Sequence, residues 1–382
     1  MRYLWTVLCL APALLGQFAA GTWKTDTSKK SIDLRELRAG GPPKDGIPAI
    51  GRPKFVAASQ ATWLARGELV IAYAAGGQAR AYPLQILMWH ELVNDEISGQ
   101  PILVSYCPLC NSAIVFDRRV NGDTLDFGVS GMLRNSDMVM YDHQTDSLWQ
   151  QITGEAIVGT YTGRTLKMLS SQMISFEDFS HTYPDGVVLS RDTGFSRDYG
   201  RNPYQGYEFG NGPIMPVRRR TKPGVRPMDK LVVLSDGGRR YRAYTMKSLA
   251  QTGVTHDRLG GRPVAIFHSR AGLSPVDHAD MSRSREVGSI GVFRAELDGQ
   301  VLKFRRKNNS IEDRQTGSRW SLTGVAEEGA LKGKRLEPVE HGVYFAFAWL
   351  AFQPDTVVVG APAEEAEPLP GGRPASGPAA LP

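Results

Sequence analysis

Part of the first half of the chain recurs in the second half, and this repeat constrains the fold more than any single segment. The tripeptide Arg-Ala-Tyr at 80–82 is found again at 242–244. At a slightly larger spacing, residues 142–149 match residues 313–320 around an Asp, a Gln-Thr turn and a Trp. Several matches in the same order indicate an internal duplication. We therefore predict two similar halves that pack with pseudo-two-fold symmetry.

Each half alternates short strand-like segments with brief helical ones. Apolar runs on either side of Gly76-Gly77 predict a hairpin. Pro83 suits the first turn of a helix over 84–93, where its missing amide hydrogen has no helical partner anyway. The run 102–106 predicts a buried strand, and 113–116 predicts the strand that returns beside it. The predicted fold class is therefore α+β and β-rich.

Changes in composition suggest how the chain is divided. Residues 1–21 combine a positive charge, a short apolar stretch and small residues, which is typical of an export signal that is later removed. We predict a first repeat over 33–210, a basic proline-rich linker over 211–230 and a second, degenerate repeat over 231–360. Residues 361–382 lack any apolar period and are predicted to be disordered. The mature protein is expected to be exported, either periplasmic or secreted.

The charge of the chain limits its partners. The formal net charge is +6 over 382 residues, and the densest basic run, 218–222, lies among prolines as expected for a solvated linker. Nucleic acid is not expected as a partner outside the cytoplasm. No segment after the signal is apolar and long enough to span a membrane. The expected partners are a metal ion or a small-molecule substrate.

Cys107 and Cys110 are the only thiols that the chain keeps once the signal segment is removed. They lie on a Cys-Pro-Leu-Cys turn between two predicted strands, and alignment of the two Arg-Ala-Tyr tripeptides places them opposite Ser269 and Gly272. In thioredoxin-like enzymes such a pair opens a helix, whose dipole lowers the pKa of the attacking thiol. A pair on a β-turn instead resembles the metal-binding knuckle of rubredoxins and zinc ribbons. The pattern favours a metal site in the first half.

A single knuckle provides only two ligands, so another side chain has to complete the site. His90 lies on the predicted helix just before the cysteine strand, and we predict a metal site of Cys107, Cys110 and His90 with one open position. The alternative for His90 is a packed, hydrogen-bonded core residue. Soft sulfur ligands favour copper, whereas general abundance favours zinc, and copper is the first choice on ligand softness.

Motifs that carry a family resemblance are spread over about 33–359: Gly40 to Ile50, Ala81 to Pro83, Trp89 to Asp95, Tyr106 to Cys110, Phe127 to Gly131, Asn135 to Asp137, Ser147 to Trp149 and Leu189 to Gly194. Together they resemble the DUF3179 family, a group of largely uncharacterised and often exported proteins. His90, Glu91, both cysteines and the segment 135–137 fit the family pattern. The resemblance implies a site in the first half and leaves the substrate open.

Glu91 and Asp137 are the candidate catalytic residues. Either carboxylate could orient His90, or act as a general base toward water or substrate at the open position. The alternative for the segment from Asn135 to Asp137 is a turn that hydrogen-bonds its own backbone.

Three functions follow from the residues. The first is a metal carrier or metalloenzyme that holds copper or zinc. The second is a thiol-disulfide oxidoreductase in which Cys107 attacks and Cys110 resolves. The third is a non-catalytic binding module in which the two cysteines form a structural disulfide.

Overall fold

The computed structural model describes residues 23–360, apart from 211, 219, 220, 237, 239 and 309. The predicted export signal over 1–21 and the predicted tail over 361–382 lie outside the described residues. Within them, four α-helices of seven residues each accompany twenty-nine short strands. The prediction of a β-rich fold is confirmed. No helix of the described part is long and apolar enough to cross a membrane.

The first half contains two of the helices and three main sheets. Its elements are β1 (Arg38–Ala39), β2 (Phe55–Ala57), β3 (Leu69–Ala75), β4 (Gln78–Pro83), α1 (Leu84–His90), β5 (Leu92–Ile97), β6 (Gln100–Cys107), β7 (Ser112–Asp117), β8 (Arg119–Val120), β9 (Asp123–Thr124), β10 (Phe127–Arg134), β11 (Asp137–Asp142), β12 (Leu148–Gln150), β13 (Glu155–Val158), β14 (Lys167–Leu169), β15 (Gln172–Ser175), α2 (Phe176–Thr182) and β16 (Val187–Leu189). The sheets have the strand orders β15-β3-β4-β16-β2, β14-β7-β6-β5 and β1-β10-β11-β12-β13.

The second half contains the other two helices and smaller sheets. Its elements are β17 (Lys230–Ser235), β18 (Tyr241–Thr245), α3 (Met246–Thr252), β19 (Val254–Leu259), β20 (Arg262–Ser269), β21 (Ser289–Arg294), β22 (Glu296–Leu297), β23 (Gln300–Val301), β24 (Phe304–Lys307), β25 (Ser310–Asp313), β26 (Arg319–Trp320), β27 (Ala326–Glu328), β28 (His341–Phe345), α4 (Ala346–Phe352) and β29 (Val357–Val358). The main sheets have the strand orders β28-β17-β18-β29, β19-β20-β21 and β24-β25-β26-β27.

The helix predicted over 84–93 is wrong at its end. Helix α1 stops at His90, and Leu92 already begins β5, which pairs with β6. Leu92 and Val93 are fully buried in that sheet, and a pair of apolar residues suits a buried strand as well as a helix face. Glu91 separates the two elements with a φ of 57°, which no helical residue adopts. Helix α1 and strand β5 are therefore joined by a reversal of the backbone at Glu91.

The predicted linker packs against both halves through backbone carbonyls. The Ser136 hydroxyl donates to the Met215 carbonyl at 3.0 Å, and the Phe347 amide donates to the Pro227 carbonyl at 3.0 Å. One hydrophobic core contains side chains from both halves, including Leu103 and Phe345. The turn that carries the cysteines lies at this junction, since the Phe345 amide donates to the Cys110 carbonyl at 2.9 Å.

Candidate functional site

The two cysteines lie at the tip of the β6–β7 hairpin. Cys107 is the last residue of β6, and residues 108–111 form the turn before β7 begins at Ser112. The Cys110 amide donates to the Cys107 carbonyl at 3.2 Å, which closes the turn. The structure thus places both thiols on a turn that a strand follows, as the sequence predicts.

Asn111 fixes this turn against the second half, a role that sequence reasoning missed. Its φ is 52°, and its buried side-chain amide donates to the Val343 carbonyl of β28 at 3.1 Å. Asn is among the few residues that adopt positive φ readily, so an Asn directly after the second cysteine was the available signal. The second half therefore helps to position the thiols that only the first half carries.

Asp137 reaches the cysteines from a second hairpin. Strands β10 and β11 are joined by a two-residue turn in which Asn135 and Ser136 have φ values of 50° and 65°, as in the tight turns that suit twisted hairpins. One side-chain atom each of Cys107, Cys110 and Asp137 lies within 4.8 Å of the others, and all three residues are buried. Among the described residues this is the one group of three or more possible metal ligands.

Hydrogen bonds to one oxygen orient the Asp137 carboxylate, and the other oxygen has no hydrogen-bond partner among the described residues. Its Oδ2 accepts from Gln150 Nε2 at 2.6 Å and from the Ile152 amide at 3.0 Å. Its Oδ1 is buried without a hydrogen-bond partner in the described part of the chain. Burial raises the pKa of Asp137 to about 6, and the Gln150 and Ile152 hydrogen bonds oppose that rise. The sequence did not predict that Gln150 orients Asp137.

Burial also shifts the pKa values of both cysteine thiols. It raises the pKa of Cys107 and raises the pKa of Cys110 well above its usual value. Reactive cysteines of redox enzymes are partly exposed and have lowered pKa values. Both cysteines are free in the structure, so a disulfide is not shown. The Cys110 thiol donates to the Ser136 carbonyl at 3.3 Å, which links the two hairpins.

Glu91 is a second buried carboxyl beside this group. Only 7% of it is exposed, and burial followed by the nearby Asp137 carboxylate raises its pKa to about 8. Its backbone adopts φ 57° and ψ −36°, close to the φ 71° and ψ −34° of Gly253, which aligns with Glu91 when the two Arg-Ala-Tyr tripeptides are superimposed in sequence. A non-glycine residue in such a conformation stores strain, which is typical of functional positions.

Replacing Glu91 by Gly is expected to stabilise the fold while removing this carboxyl. Relief of strain of about 1–3 kcal/mol exceeds the entropic cost of glycine, so the free energy of unfolding should rise by about 1 kcal/mol. Urea denaturation measures the change. Gly253→Ala is the matched control and should destabilise, because an added Cβ would overlap Arg306 Cδ. A loss of stability in Glu91→Gly comparable to that in Gly253→Ala would mean that Glu91 is not strained.

His90 is not brought into the thiol group. Its Nδ1 lies 2.7 Å from the Pro48 carbonyl and its Nε2 lies 2.6 Å from the Tyr199 hydroxyl. A carbonyl only accepts, so Nδ1 carries the proton and Nε2 accepts from Tyr199. Both ring nitrogens are therefore engaged, which is the packed, hydrogen-bonded alternative for this residue. The structure brings Cys107 and Cys110 together with Asp137 instead.

These features define a class: a β-rich protein with a buried group of two thiols and a carboxylate in its first half. The chain belongs to the family described as Protein of unknown function (DUF3179), which matches residues 44–356. No curated protein and no solved structure matches it. The family match covers the cysteine turn, Glu91, Asp137 and most of the second half.

Proposed function

We propose that this protein binds a zinc ion through Cys107, Cys110 and Asp137. The observation that carries the proposal is the convergence of three buried donor atoms within 4.8 Å, with Asp137 Oδ1 lacking any other partner among the described residues. Ligands bound to one tetrahedral zinc lie roughly 3.5 to 4 Å apart, so only a small adjustment of the side chains is needed. A cation would also offset the desolvation of these acidic groups.

The donor set favours zinc over copper. The sequence predicts copper from two soft sulfur ligands together with the imidazole of His90. A carboxylate in its place is a harder ligand, which suits Cu(I) poorly, whereas zinc accepts thiolate and carboxylate together. Burial of both thiols supports a retained cofactor more than a transferred cargo, because a carrier has to expose its ligands to the recipient.

Glu91 supports a catalytic use of the ion. Three protein ligands with one open position are typical of catalytic zinc sites. The Asp137 carboxylate contributes to the raised pKa of Glu91, and Glu91 in turn contributes to the raised pKa of Cys107. Beside an open position it would hold or release a proton, as a general acid or base toward bound water or substrate. Asp137 then acts as a ligand, and Glu91 takes the acid–base role that the sequence predicted for either of them.

The second half serves in this proposal as a support for the site. We propose that it arose by duplication, since α3 and β19 begin and end at the residues that align with the ends of α1 and β5. It carries no cysteine, but its strand β28 binds the cysteine turn through Val343 and Phe345. Export, as predicted from residues 1–21, would place the protein where unprotected thiols oxidise and zinc ligation protects them.

Zinc content tests the proposal directly. Protein purified with a reductant and one equivalent of zinc should retain about one ion per chain after dialysis, measured by plasma mass spectrometry. Cys107→Ser and Asp137→Asn should lose the ion, whereas the exposed control Asp185→Asn should keep it. Cobalt in place of zinc should give a thiolate-to-cobalt absorption band that disappears in Cys107→Ser.

His90→Gln separates this proposal from the set predicted from sequence. With Asp137 as the third ligand, His90→Gln should retain zinc and the cobalt band. Loss of the ion in His90→Gln together with its retention in Asp137→Asn would restore His90 as the ligand. A folded wild-type protein that binds neither zinc nor cobalt would refute the metal site.

A further inference from the structure

Strand β17 begins with a buried lysine, Lys230, that lines a cleft. The Lys230 side chain is 5% exposed, and its Nζ lies 2.8 Å from Glu208 Oε1. This ion pair occupies one of the three N–H donors of the ammonium, and Nζ has no other hydrogen-bond partner in the described residues. The other Glu208 oxygen accepts from the Ser274 hydroxyl. Both carboxylate oxygens therefore have a partner, whereas the ammonium keeps unused donor capacity.

The cleft above Lys230 has a volume of about 630 Å³. Lys247 and Arg226 add positive charge to its wall, and Arg226 is already paired with Asp229 at 2.8 Å. Met228, Met246 and Phe209 provide an apolar side. Small-molecule sites commonly combine such apolar walls with a few polar groups that fix the ligand's orientation.

In the first half, the side chains at the corresponding positions hydrogen-bond to partners within the protein. Glu68 and Gln85 align with Lys230 and Lys247 when the two Arg-Ala-Tyr tripeptides are superimposed in sequence, and both line a different cleft. Glu68 accepts from the Ala65 amide at 3.0 Å and from Gln85 Nε2 at 2.7 Å. Gln85 Oε1 in turn accepts from Arg191 Nε at 3.1 Å. Each of these polar side chains has a partner within the protein.

The two lysines of the second half cannot form such a hydrogen-bond network. Gln85 both donates and accepts, and so it bridges Glu68 to Arg191, whereas an ammonium at Lys247 only donates. Lys230 and Lys247 therefore leave a surplus of donors and positive charge in the lining of the cleft. An oxygen-rich anion is the chemistry that would satisfy them, because hydrogen bonds between charged groups are the strong ones.

We infer that this cleft binds a small organic anion. Its carboxylate or phosphate group would contact Lys230 and Lys247, and its apolar body would lie against Met228, Met246 and Phe209. The inference does not depend on the zinc site, since none of these residues belongs to it. The second half would then be a binding unit in its own right, in addition to holding the cysteine turn.

Calorimetric titration of the full chain with hexanoate, hexyl phosphate and hexanol tests the inference. Hexanoate or hexyl phosphate should bind saturably and more weakly at high salt, and hexanol should not bind; the tighter of the two anions identifies the head group. Lys247→Gln, which installs the first-half residue, should weaken binding about tenfold. The exposed Lys332→Gln should leave the affinity unchanged.

A second variant guards against misfolding. Lys230→Met alone would leave Glu208 unpaired in the interior, so Lys230→Met is combined with Glu208→Gln to remove both charges. This double variant should fold, as judged by circular dichroism, and should not bind either anion. The inference is overturned if neither anion binds the wild type, or if Lys247→Gln and the double variant both bind as tightly as the wild type does.

Discussion

Zinc at a thousandfold excess over its dissociation constant is expected to raise the free energy of unfolding by about 4 kcal/mol. The reason is linkage: folding brings Asp137 to Cys107 and Cys110, although 27 residues separate it from Cys110 along the chain, and the unfolded chain does not hold the three together. Urea denaturation with a reductant, in zinc and in a chelator, measures the difference. Residual binding of zinc by unfolded thiols would reduce the rise, so the observed value should lie at or below this figure.

Cys110→Ser provides the control for that measurement. It removes one thiolate while the two hairpins keep their strand pairing, and its unfolding should be nearly the same in zinc and in chelator. An equal zinc-dependent rise in the wild type and in Cys110→Ser would show that zinc binds elsewhere. Asp137→Asn should behave like Cys110→Ser, since an amide is a poorer zinc ligand than a carboxylate.

Local sequence was enough to predict the parts of the site that lie within one hairpin. Cys107 and Cys110 are separated by a turn that begins with Pro108, and apolar runs lie on both sides. Strand propensity and turn residues are local signals, so the hairpin tip followed from them. The same holds for the turn at Asn135 and Ser136, which the sequence offered as the alternative for that segment.

The third ligand could not be predicted in the same way. Asp137 belongs to another hairpin, and its approach to the thiols depends on how two sheets pack. His90 was chosen because it lies nearer in sequence, on the helix just before the cysteine strand. The helix ends at His90, the backbone reverses at Glu91, and the His90 ring contacts Pro48 and Tyr199. That reversal stores backbone strain. A sequence pattern does not reveal that the fold holds a residue in an unfavourable backbone conformation.

The repeated Asp–Trp pair gives the protein a matched test of what each half contributes. Trp149 is fully buried and its Nε1 donates to Asp142 Oδ2 at 2.9 Å. Trp320 is 2% exposed and its Nε1 donates to Asp313 Oδ2 at 3.0 Å. Each indole also meets a phenylalanine edge to face, at 5.7 Å in the first half and 5.6 Å in the second.

Trp149→Ala and Trp320→Ala are both expected to lower the free energy of unfolding by about 4 kcal/mol, because each removes a buried indole and one hydrogen bond to its Asp partner. The Asp keeps its hydrogen bonds from Thr145 in the first half and from Thr316 in the second. Only Trp149→Ala should also weaken zinc binding, by about tenfold. Its neighbour Gln150 donates to Asp137 at 2.6 Å, so loosening β12 releases the ligand. Denaturation and competitive zinc titration measure the two effects. If Trp320→Ala weakens zinc binding equally, the loss of affinity results from general destabilisation of the fold and not from displacement of Gln150.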